Sequence, residues 1–313
     1  MTEEFVLGID TSNYTTSVAI INNQGQVISD KRIILDVPKG ERGIRQSNAV
    51  FSHLKNLPQL FEEIFKTING KNIIGVSVSN RPRPIEGSYM PCFVPGLTLG
   101  KSIASLLDVP LYEFSHQEGH IEAIKHFSNL KNPNEFICFH LSGGTTEILK
   151  IKDNNISIIG HTLDLSFGQL IDRIGVSLGL KFPAGKEMDN LALLNSVEII
   201  KCKDINIKDL QINISGIESH FQRLIKENQS NLKEEFKQMI SNSLFTKILL
   251  CLQELVDQCK SNYQDLDIVF AGGVSESKYI RKNINGVIFG DFGADNAVGT
   301  ALLGGNKVWP LNL

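Results

Sequence analysis

The sequence predicts an α/β protein made of two domains that share one plan. Short β-branched runs alternate with stretches whose apolar residues repeat at helical spacing, the pattern of α/β folds. Three strands with a polar Ser/Thr turn after the first open the chain as FVLGIDTSNYTTSVAIINNQGQVIS, and the same order returns in FICFHLSGGTTEILKIKDNNISIIG. A repeated unit of this kind indicates duplicated domains. Two unrelated meanders are the alternative interpretation.

Each element follows from its own pattern. In the first half the predicted strands are 5–10, 17–22, 27–34, 73–78 and 109–114, and the predicted helices are 49–68, interrupted by Pro58, and 97–107. In the second half the predicted strands are 136–141, 147–151, 156–160 and 268–271, and the predicted helices are 167–180, 232–259 and one that opens at Ser275. We place the first domain at residues 1–110, completed by a C-terminal helix at about 300–313, and the second at 111–299.

Length and composition exclude several classes of protein. The chain has 313 residues, 42% of them hydrophobic and 21% charged, so we expect a globular protein with an ample core. Its net charge of −3 excludes binding of nucleic acid through bulk positive charge, although a local basic patch stays open. No apolar run reaches the roughly 18–20 residues that span a bilayer. Five scattered cysteines without CxxC spacing indicate a reducing compartment, so we expect a cytoplasmic protein with no membrane association.

The clearest candidate for chemistry is a pair of histidines, His116 and His120. Histidines at i and i+4 lie on one face of a helix, about 5–6 Å apart at Cβ, so both imidazoles can reach one metal ion. A carboxylate would complete a 2-His-1-carboxylate set. Asp291 and Asp295, in the turn GDFGADNAVG, are candidates for it, and nothing local chooses between them. Two surface histidines spaced this way by chance are the alternative.

Two polar turns and a glycine pair are candidates for holding an anion. The turns 10–16 and 142–146 would expose backbone N–H groups and hydroxyls, which suit a phosphate chain. A ligand between two similar domains would lie in the cleft that they form. Gly272 and Gly273 stand between a strand and a predicted helix, where a ligand can approach closely. The sequence has no GxxxxGK[ST], which excludes a Walker-type NTPase.

Taken in order, these segments resemble the tRNA N6-threonylcarbamoyladenosine synthase family (TsaD and its archaeal and eukaryotic counterparts). The resemblance covers nearly the whole chain, through GIDTSNYTTSVAI, HQEGHIEA, LSGGTTEI, DLSFGQLIDRIGVSLGLKFPAGKEMDNLA, ISGIESHFQRLI, AGGVS and ADNAVGTALLG. It implies the actin/sugar-kinase/Hsp70 (ASKHA) superfold, in which two duplicated α/β domains surround a nucleotide cleft. It also implies transfer of a threonylcarbamoyl group from threonylcarbamoyl-adenylate to adenosine 37, in the anticodon loop of tRNA.

The resemblance also assigns residues, cofactors and partners. It implies one divalent metal ion, iron or zinc, held by His116, His120 and Asp295, and so chooses Asp295 over Asp291. It implies a bound nucleotide of the ATP or AMP type, or threonylcarbamoyl-adenylate. The candidate nucleotide- and substrate-binding residues are Asp10, Thr11, Ser142, Gly143, Gly144, Thr145, Asp172, Gly185, Asp189, Gly272, Gly273 and Ser277. TsaB-like and TsaE-like proteins, or a second copy of the chain, are the implied protein partners.

Departures from the family pattern bear on activity. The first motif of the family is usually Glu-Thr-Ser-Cys-Asp-Asp/Glu-Thr, so Tyr14 and Thr15 stand where the family has two acids implicated in catalysis. The segment 81–84, Arg-Pro-Arg-Pro, replaces a Gly-Pro-Gly turn, and Ser277 replaces an asparagine expected near adenine. We therefore expect a transferase with altered or weak activity. A non-catalytic paralogue subunit that binds metal and nucleotide is the second interpretation, and a small-molecule kinase or carbamoyltransferase on the same fold is the third.

Overall fold

The computed structural model describes residues 3–12, 14–37, 43–153, 155–194, 199–229, 232–290 and 297–309. The chain divides into two compact units, the first made of residues 1–36, 44–127 and 295–313 and the second of residues 37–43 and 128–294. The main division therefore follows residue 127 rather than residue 110, where we expected it. The reason is that the strand at residues 111–115 is hydrogen-bonded into the sheet of the first unit.

The first unit is built on a five-stranded sheet with the strand order β3-β2-β1-β4-β5. Its strands are β1 (Phe5–Ser12), β2 (Thr15–Asn22), β3 (Val27–Ile34), β4 (Ile73–Arg81) and β5 (Leu111–Ser115). Strands β1 to β3 form the antiparallel meander that the sequence predicts, while β4 pairs in parallel with β1 and β5 in parallel with β4. Strand β1 is buried along its whole length, as expected for a central strand that is covered on both faces.

Four helices of the described residues belong to this unit: α1 (Gln46–Ile64), α2 (Val94–Leu107), α3 (His116–Phe127) and the last helix, α9 (Ala297–Val308). We expected Pro58 to interrupt helix α1, but the helix continues through this proline. Helix α9 meets its neighbours backbone to backbone at glycines. A Cβ atom on Gly299 would lie 1.9 Å from the carbonyl oxygen of Gly119, and one on Gly8 would lie 2.2 Å from that of Ala297. The first turn of α9 is thereby fixed beside β1 and the first turns of α3.

The second unit contains a seven-stranded sheet with the order β12-β11-β6-β7-β8-β10-β9. Its strands are β6 (Glu135–Leu141), β7 (Thr146–Lys152), β8 (Asn155–Thr162), β9 (Ile207–Lys208), β10 (Gln211–Ile212), β11 (Ile268–Ala271) and β12 (Ile288–Phe289). Strands β6 to β8 are an antiparallel meander, and β11 pairs in parallel with β6 as β4 does with β1. This shared topology confirms the predicted duplication.

The helices of the second unit are α4 (Phe167–Ser177), α5 (Gly185–Ala192), α6 (Ser215–Glu227), α7 (Glu234–Asn262) and α8 (Lys278–Asn283). The helix expected to open at Ser275 is instead a 3₁₀ turn, Gly273–Glu276, followed by α8. Ser277 lies between the 3₁₀ turn and α8, and it caps α8 because its hydroxyl oxygen accepts a hydrogen bond from the Ile280 amide at 3.1 Å.

Helix α7 passes through the core of the second unit. It is the one helix of the described residues that is long and apolar enough to meet the length and composition criteria for a membrane span. Its residues Leu244, Ile248 and Leu252 are fully buried and pack in the same cluster as Phe139 and Phe221. Such burial is typical of a core helix.

Candidate functional site

Helix α3 carries the histidine pair, and reciprocal hydrogen bonds fix where this helix begins. The Ser115 hydroxyl accepts from the Glu118 amide at 3.2 Å, and the Glu118 carboxylate accepts from the Ser115 amide at 2.6 Å. These two bonds form a capping box. The carbonyl of Pro82 accepts from the Gln117 amide at 3.1 Å. The backbone around His116 is therefore held on both sides.

The two histidines converge as their spacing predicts. The Nε2 atoms of His116 and His120 are 2.8 Å apart, and the ring centroids are 4.3 Å apart with the planes at 79°. His120 is buried and His116 is partly exposed. Two imidazole nitrogens this close and facing each other are able to share a proton, or to bind one ion jointly.

Asp10 contacts this pair from the end of β1. Its carboxylate is fully buried, and its Oδ1 lies 3.0 Å from Nδ1 of His116. Burial raises the pKa of Asp10, but the charge and hydrogen bond of His116, with the hydroxyls of Ser79 and Ser12, outweigh it and hold the pKa below its ordinary value. We expected Asp10 among the nucleotide- and substrate-binding residues. The structure places it against a histidine.

A divalent metal ion fits the donors that the structure describes, although they are incomplete. His116 and His120 present two convergent ring nitrogens, and a carboxylate holds the other nitrogen of His116, an arrangement typical of iron and zinc sites. The third ligand, Asp295, and its rival Asp291 lie outside the described residues. Within the described part of the chain, no group of three His, Cys, Asp or Glu side chains forms a metal site.

The turn between β1 and β2 holds the two positions where the family has acids. Thr15 is 1% exposed, and it pairs with Ser12 at the start of β2. Tyr14 is partly buried, and its carbonyl accepts a hydrogen bond from the Leu35 amide at 2.8 Å. Asn13 lies outside the described residues. Thr11, a predicted substrate-binding residue, is fully buried, and its hydroxyl accepts from the Gly96 amide at 3.3 Å.

Another buried histidine lies behind this turn. His53 of α1 is fully buried, and its Nδ1 lies 2.9 Å from the hydroxyl of Thr16. The same hydroxyl accepts a hydrogen bond from the side-chain Nδ2 of Asn56 at 3.1 Å. Burial lowers the pKa of His53 to about 4, against the opposing effect of the Asp10 charge. His53 is therefore neutral at pH 7. Its helical spacing alone gave no sign of this contact.

In the second unit, the Ser-Gly-Gly loop after β6 is folded upon itself. The Ser142 hydroxyl accepts from the amides of Gly144 at 3.3 Å and Thr145 at 3.0 Å, and the Ser142 amide donates to the Thr145 carbonyl. Two amides that we expected to face an anion thus bind a protein hydroxyl. Nothing lies within 4 Å of a Cβ atom built on Gly143 or Gly144, so one side of the loop is open.

The start of α4 supports this loop. Ser166 caps the helix in a reciprocal arrangement with Gln169, and its hydroxyl also donates to the Gly143 carbonyl at 3.0 Å. A Cβ atom on Gly168 would lie 2.5 Å from the Ser142 carbonyl oxygen. A glycine at residue 168 is therefore what allows the loop to rest on the helix.

Asp172 and Gly185, both assigned to the ribose and adenosine side, lie together in the second unit. The Asp172 carboxylate accepts from the Ala184 amide at 2.8 Å. Burial raises the pKa of Asp172 to about 6, although the amides of residues 184 and 185 act in the opposite direction. Gly185 is the first residue of α5, and the nearest atom to a Cβ built there is on Ile171, at 4.0 Å. The pair thus combines a partly buried carboxylate with open space beside Gly185.

Asp189 and Ser277 also lie together, but they bind each other. The Asp189 carboxylate accepts from the Ser277 hydroxyl at 2.5 Å and from the amides of Lys278 and Tyr279 at 2.9 and 3.0 Å. Its oxygens are therefore occupied by the start of α8. Gly272 has a φ of +91°, and a Cβ atom there would lie 2.6 Å from the carbonyl oxygen of residue 141, so only glycine suits this position. Gly273 begins the 3₁₀ turn.

Solved structures of low sequence identity share the fold. Component A of (R)-2-hydroxyglutaryl-CoA dehydratase from Acidaminococcus fermentans aligns with a TM-score of 0.57 at 11% identity, over 97% of this chain and 98% of that one. HypF from T. kodakarensis aligns with a TM-score of 0.61 at 14% identity, over 98% of this chain and 48% of that one. A ROK family glucokinase from Streptomyces griseus aligns with a TM-score of 0.50 at 13% identity, over 96% of this chain and 99% of that one. These likenesses confirm the predicted actin/sugar-kinase/Hsp70-like (ASKHA) fold.

Sequence relatives are more specific. The tRNA N6-adenosine threonylcarbamoyltransferase of Neorickettsia sennetsu is 26% identical over 294 residues, which cover 91% of this chain and 84% of the relative. That of Thermosipho melanesiensis is 30% identical over 285 residues, 88% and 83% of the two chains. The family profile described as TsaD, tRNA N6-adenosine threonylcarbamoyltransferase, matches residues 27–294. Because this match includes both the histidine pair and the Ser-Gly-Gly loop, the resemblance seen in the motifs is confirmed, and the chain belongs to the tRNA N6-adenosine threonylcarbamoyltransferase (TsaD) family.

Proposed function

We propose that this chain transfers a threonylcarbamoyl group from threonylcarbamoyl-adenylate to N6 of adenosine 37 in tRNA, more slowly than relatives with an acidic first turn. The observation that carries the proposal is the convergence of His116 and His120, with Nε2 atoms 2.8 Å apart, in a chain of this family. One hydrogen bond between two imidazoles contributes only about 1 kcal/mol to the stability of the fold, so their convergence favours a role in binding a ligand.

His116, His120 and Asp295 would hold a divalent iron or zinc ion, which when bound supplies a Lewis acid for a carbonyl or phosphoryl oxygen. Chain connectivity supports Asp295. It precedes Ala297 by two residues, which is at most about 7–8 Å of chain. The carbonyl of Ala297 lies against Gly8, two residues before Asp10 on β1.

The adenylate part of the substrate, or a nucleotide of the ATP or AMP type, would contact the second unit. The open side of Gly143 and Gly144 suits a phosphate group, because backbone without side chains can approach it closely. Asp172 and the open position at Gly185 would contact the ribose and adenosine. Asp189 and Ser277 would act indirectly, by fixing the turn that contains Gly273.

The acceptor base would enter from a single-stranded anticodon loop, since proteins read RNA bases mostly where they are unpaired. TsaB-like and TsaE-like proteins, or a second copy of this chain, stay as candidate partners on the family resemblance. We propose a cytoplasmic location on the same ground.

The first turn explains the low rate that we expect. A tyrosine hydroxyl has a pKa near 10 and a threonine does not ionise in this range, so neither Tyr14 nor Thr15 replaces a carboxylate base at pH 7. Loss of one positioned acid–base group slows a reaction by about 10²–10⁴-fold. The same observation favours the second candidate function, a non-catalytic subunit that binds metal and nucleotide. The interpretation as a small-molecule kinase or carbamoyltransferase has no support beyond the shared fold.

An assay with purified tRNA and threonylcarbamoyl-adenylate tests the proposal, with the modified nucleoside measured by mass spectrometry. We expect slow product formation by the wild type, none by His120→Ala, and at least a tenfold gain in Tyr14→Asp. Tyr14 is the better site for an added acid, because a carboxylate at Thr15 would be buried inside the sheet. Tyr89→Asp, at a 68% exposed residue, controls for the added charge. Absence of product from both the wild type and Tyr14→Asp, with metal and nucleotide still bound, would establish the non-catalytic alternative.

A further inference from the structure

We propose that Asp10 is a positioning residue of the metal centre, which fixes the ring hydrogen of His116 on Nδ1 and so directs the Nε2 lone pair of His116 toward the ion. The proposal rests on the proposed function, because it assumes that His116 and His120 hold a metal ion. It gives Asp10 a role different from the contact with nucleotide or substrate that the family resemblance suggested.

The contact determines the tautomer. A neutral imidazole has one N–H, and an ionised carboxylate accepts hydrogen bonds but donates none. Oδ1 of Asp10 is 3.0 Å from Nδ1 of His116, so the ring hydrogen must be on Nδ1 for this contact to be a hydrogen bond. Binding of an ion requires the neutral ring, and in that form the opposite nitrogen, Nε2, is left with its lone pair. Nε2 is the atom that faces His120 at 2.8 Å.

Both partners are held by backbone that has little freedom. Asp10 is 0% exposed in the central strand β1, between β2 and β4, and its carbonyl accepts a bond from the Ser17 hydroxyl at 3.2 Å. His116 follows directly after β5 and is fixed by the capping box of Ser115 and Glu118. The position of the Asp10 carboxylate beside the ring is therefore set by the backbone of the sheet. Carboxylates that orient metal-binding histidines in this way commonly change metal affinity by about 10–100-fold.

The two histidines then play unequal parts before any metal binds. If Nε2 of His116 is an acceptor, the hydrogen between the two rings belongs to Nε2 of His120. For both rings to hold one ion, Nε2 of His120 would have to give up this hydrogen, either to its own Nδ1 or to solvent, with no transfer of electrons. His116 is ready to bind, whereas His120 must change its tautomer.

Histidine tautomers in ¹⁵N-labelled, metal-free protein test the proposal directly, through long-range ¹H–¹⁵N correlations assigned with His116→Gln and His120→Gln. We expect hydrogen on Nδ1 of His116 and on Nε2 of His120 in the wild type. In Asp10→Asn the His116 signal should move toward the other tautomer, because an amide can also donate to Nδ1. Zn²⁺ affinity, measured by competition with a chromogenic chelator, should fall by about 10–100-fold.

Two further variants separate positioning from packing. Asp10→Glu keeps a carboxylate, so it should keep the tautomer and bind Zn²⁺ more tightly than Asp10→Asn. Ser77→Ala removes another fully buried polar group from the same sheet, one that donates to the Thr300 carbonyl, and should leave Zn²⁺ affinity unchanged. Thermal unfolding of each variant shows whether it is folded.

Several results would overturn the proposal. One is a wild-type His116 that carries its hydrogen on Nε2, and this measurement stands even if Asp10→Asn does not fold. Another is a folded Asp10→Asn that binds Zn²⁺ as the wild type does, or a Ser77→Ala that loses affinity equally. A wild type that binds no Zn²⁺ would instead refute the metal centre itself, and the tautomer of His116 would still show whether Asp10 fixes the ring.

Discussion

The carboxylate of Asp189 accepts a hydrogen bond from the hydroxyl of Ser277 at 2.5 Å, across 88 residues of sequence. The two residues come from separate motifs, one on α5 and one just before α8. With the amides of Lys278 and Tyr279 on the same carboxylate, Asp189 acts as a cap for a helix that is remote in the sequence. This link fixes the turn Gly273–Glu276 relative to α5.

Asp189→Ala should destabilise the second unit by about 1–3 kcal/mol, because it leaves the Ser277 hydroxyl and two amides without their acceptor. The free energy of unfolding in urea measures the effect. Asp257→Ala is the matched control, since this exposed carboxylate bonds only to the Gln253 side chain among the contacts described. Equal stability of the two variants would contradict the role of Asp189 as a cap.

The pH dependence of stability should contain a contribution from Asp172. Its pKa is raised by burial to about 6 in the folded protein, against 3.8 for the ordinary group. The folded state therefore holds this proton more tightly, so the contribution is complete below about pH 4 and is lost as the pH rises through 6. A shift of this size corresponds to about 3 kcal/mol. Urea unfolding between pH 4 and 7.5 should show this decline in the wild type, and Asp172→Asn should lack it.

Metal content should depend on the histidine pair. His120→Ala removes one of the two converging Nε2 atoms, so we expect near one iron or zinc per chain in untagged wild type and almost none in the variant. Elemental analysis after dialysis provides the measurement. His126→Ala, on the same helix but away from the pair, should keep the metal. A metal-free wild type with an intact fold would refute the prediction.

The close approach of α3 and α9 predicts a marked effect of one methyl group. In Gly299→Ala the new Cβ atom would meet the Gly119 carbonyl at 1.9 Å, so α9 must move and we expect a loss of more than about 2 kcal/mol of stability. Gly216→Ala, in α6, meets nothing within 4 Å and should stabilise by up to about 1 kcal/mol. Thermal unfolding distinguishes them. Similar melting temperatures would show that the helices separate at no cost.

Gly144→Val tests the ligand side of the Ser-Gly-Gly loop. The wild type should be stabilised by ATP or AMP, by about 2.7 kcal/mol at a hundred times the dissociation constant. The valine side chain would extend into the open space beside the loop, so the variant should fold but lose this stabilisation. Gly216→Val is the control, and it should respond to the nucleotide as the wild type does. An unchanged response in Gly144→Val would mean that the ligand binds elsewhere.

The sequence predicted the features that depend on local spacing. Both meanders and the convergence of His116 with His120 follow from periods of two and of four residues, and the structure confirms them. The contact of Asp10 with His116 had no such signal, because the two residues are 106 positions apart and β4 lies between their strands. The link between Asp189 and Ser277 was hidden for the same reason.

Two further features do have a local signal in the sequence. The pattern Ser115-x-x-Glu118 is typical of a capping box and predicts that α3 begins here. Helix α6 shows Ile217, Phe221 and Ile225 at intervals of four, the apolar stripe of an amphipathic helix. The predicted helix at Ser275 was wrong because the two glycines before it favour a turn, and the cap that opens α8 is Ser277.

The position of α9 in the chain sets the order in which the protein can be completed during synthesis. Helix α9 leaves the ribosome after every other described element, yet it packs on β1 and α3, which emerge early. The second unit lies almost wholly in one stretch, 128–294, and can close while translation continues. The first unit must wait with β1 and α3 uncovered until residues 297–309 arrive. The first unit is therefore completed after the second, and nascent-chain experiments would find the second unit folded first.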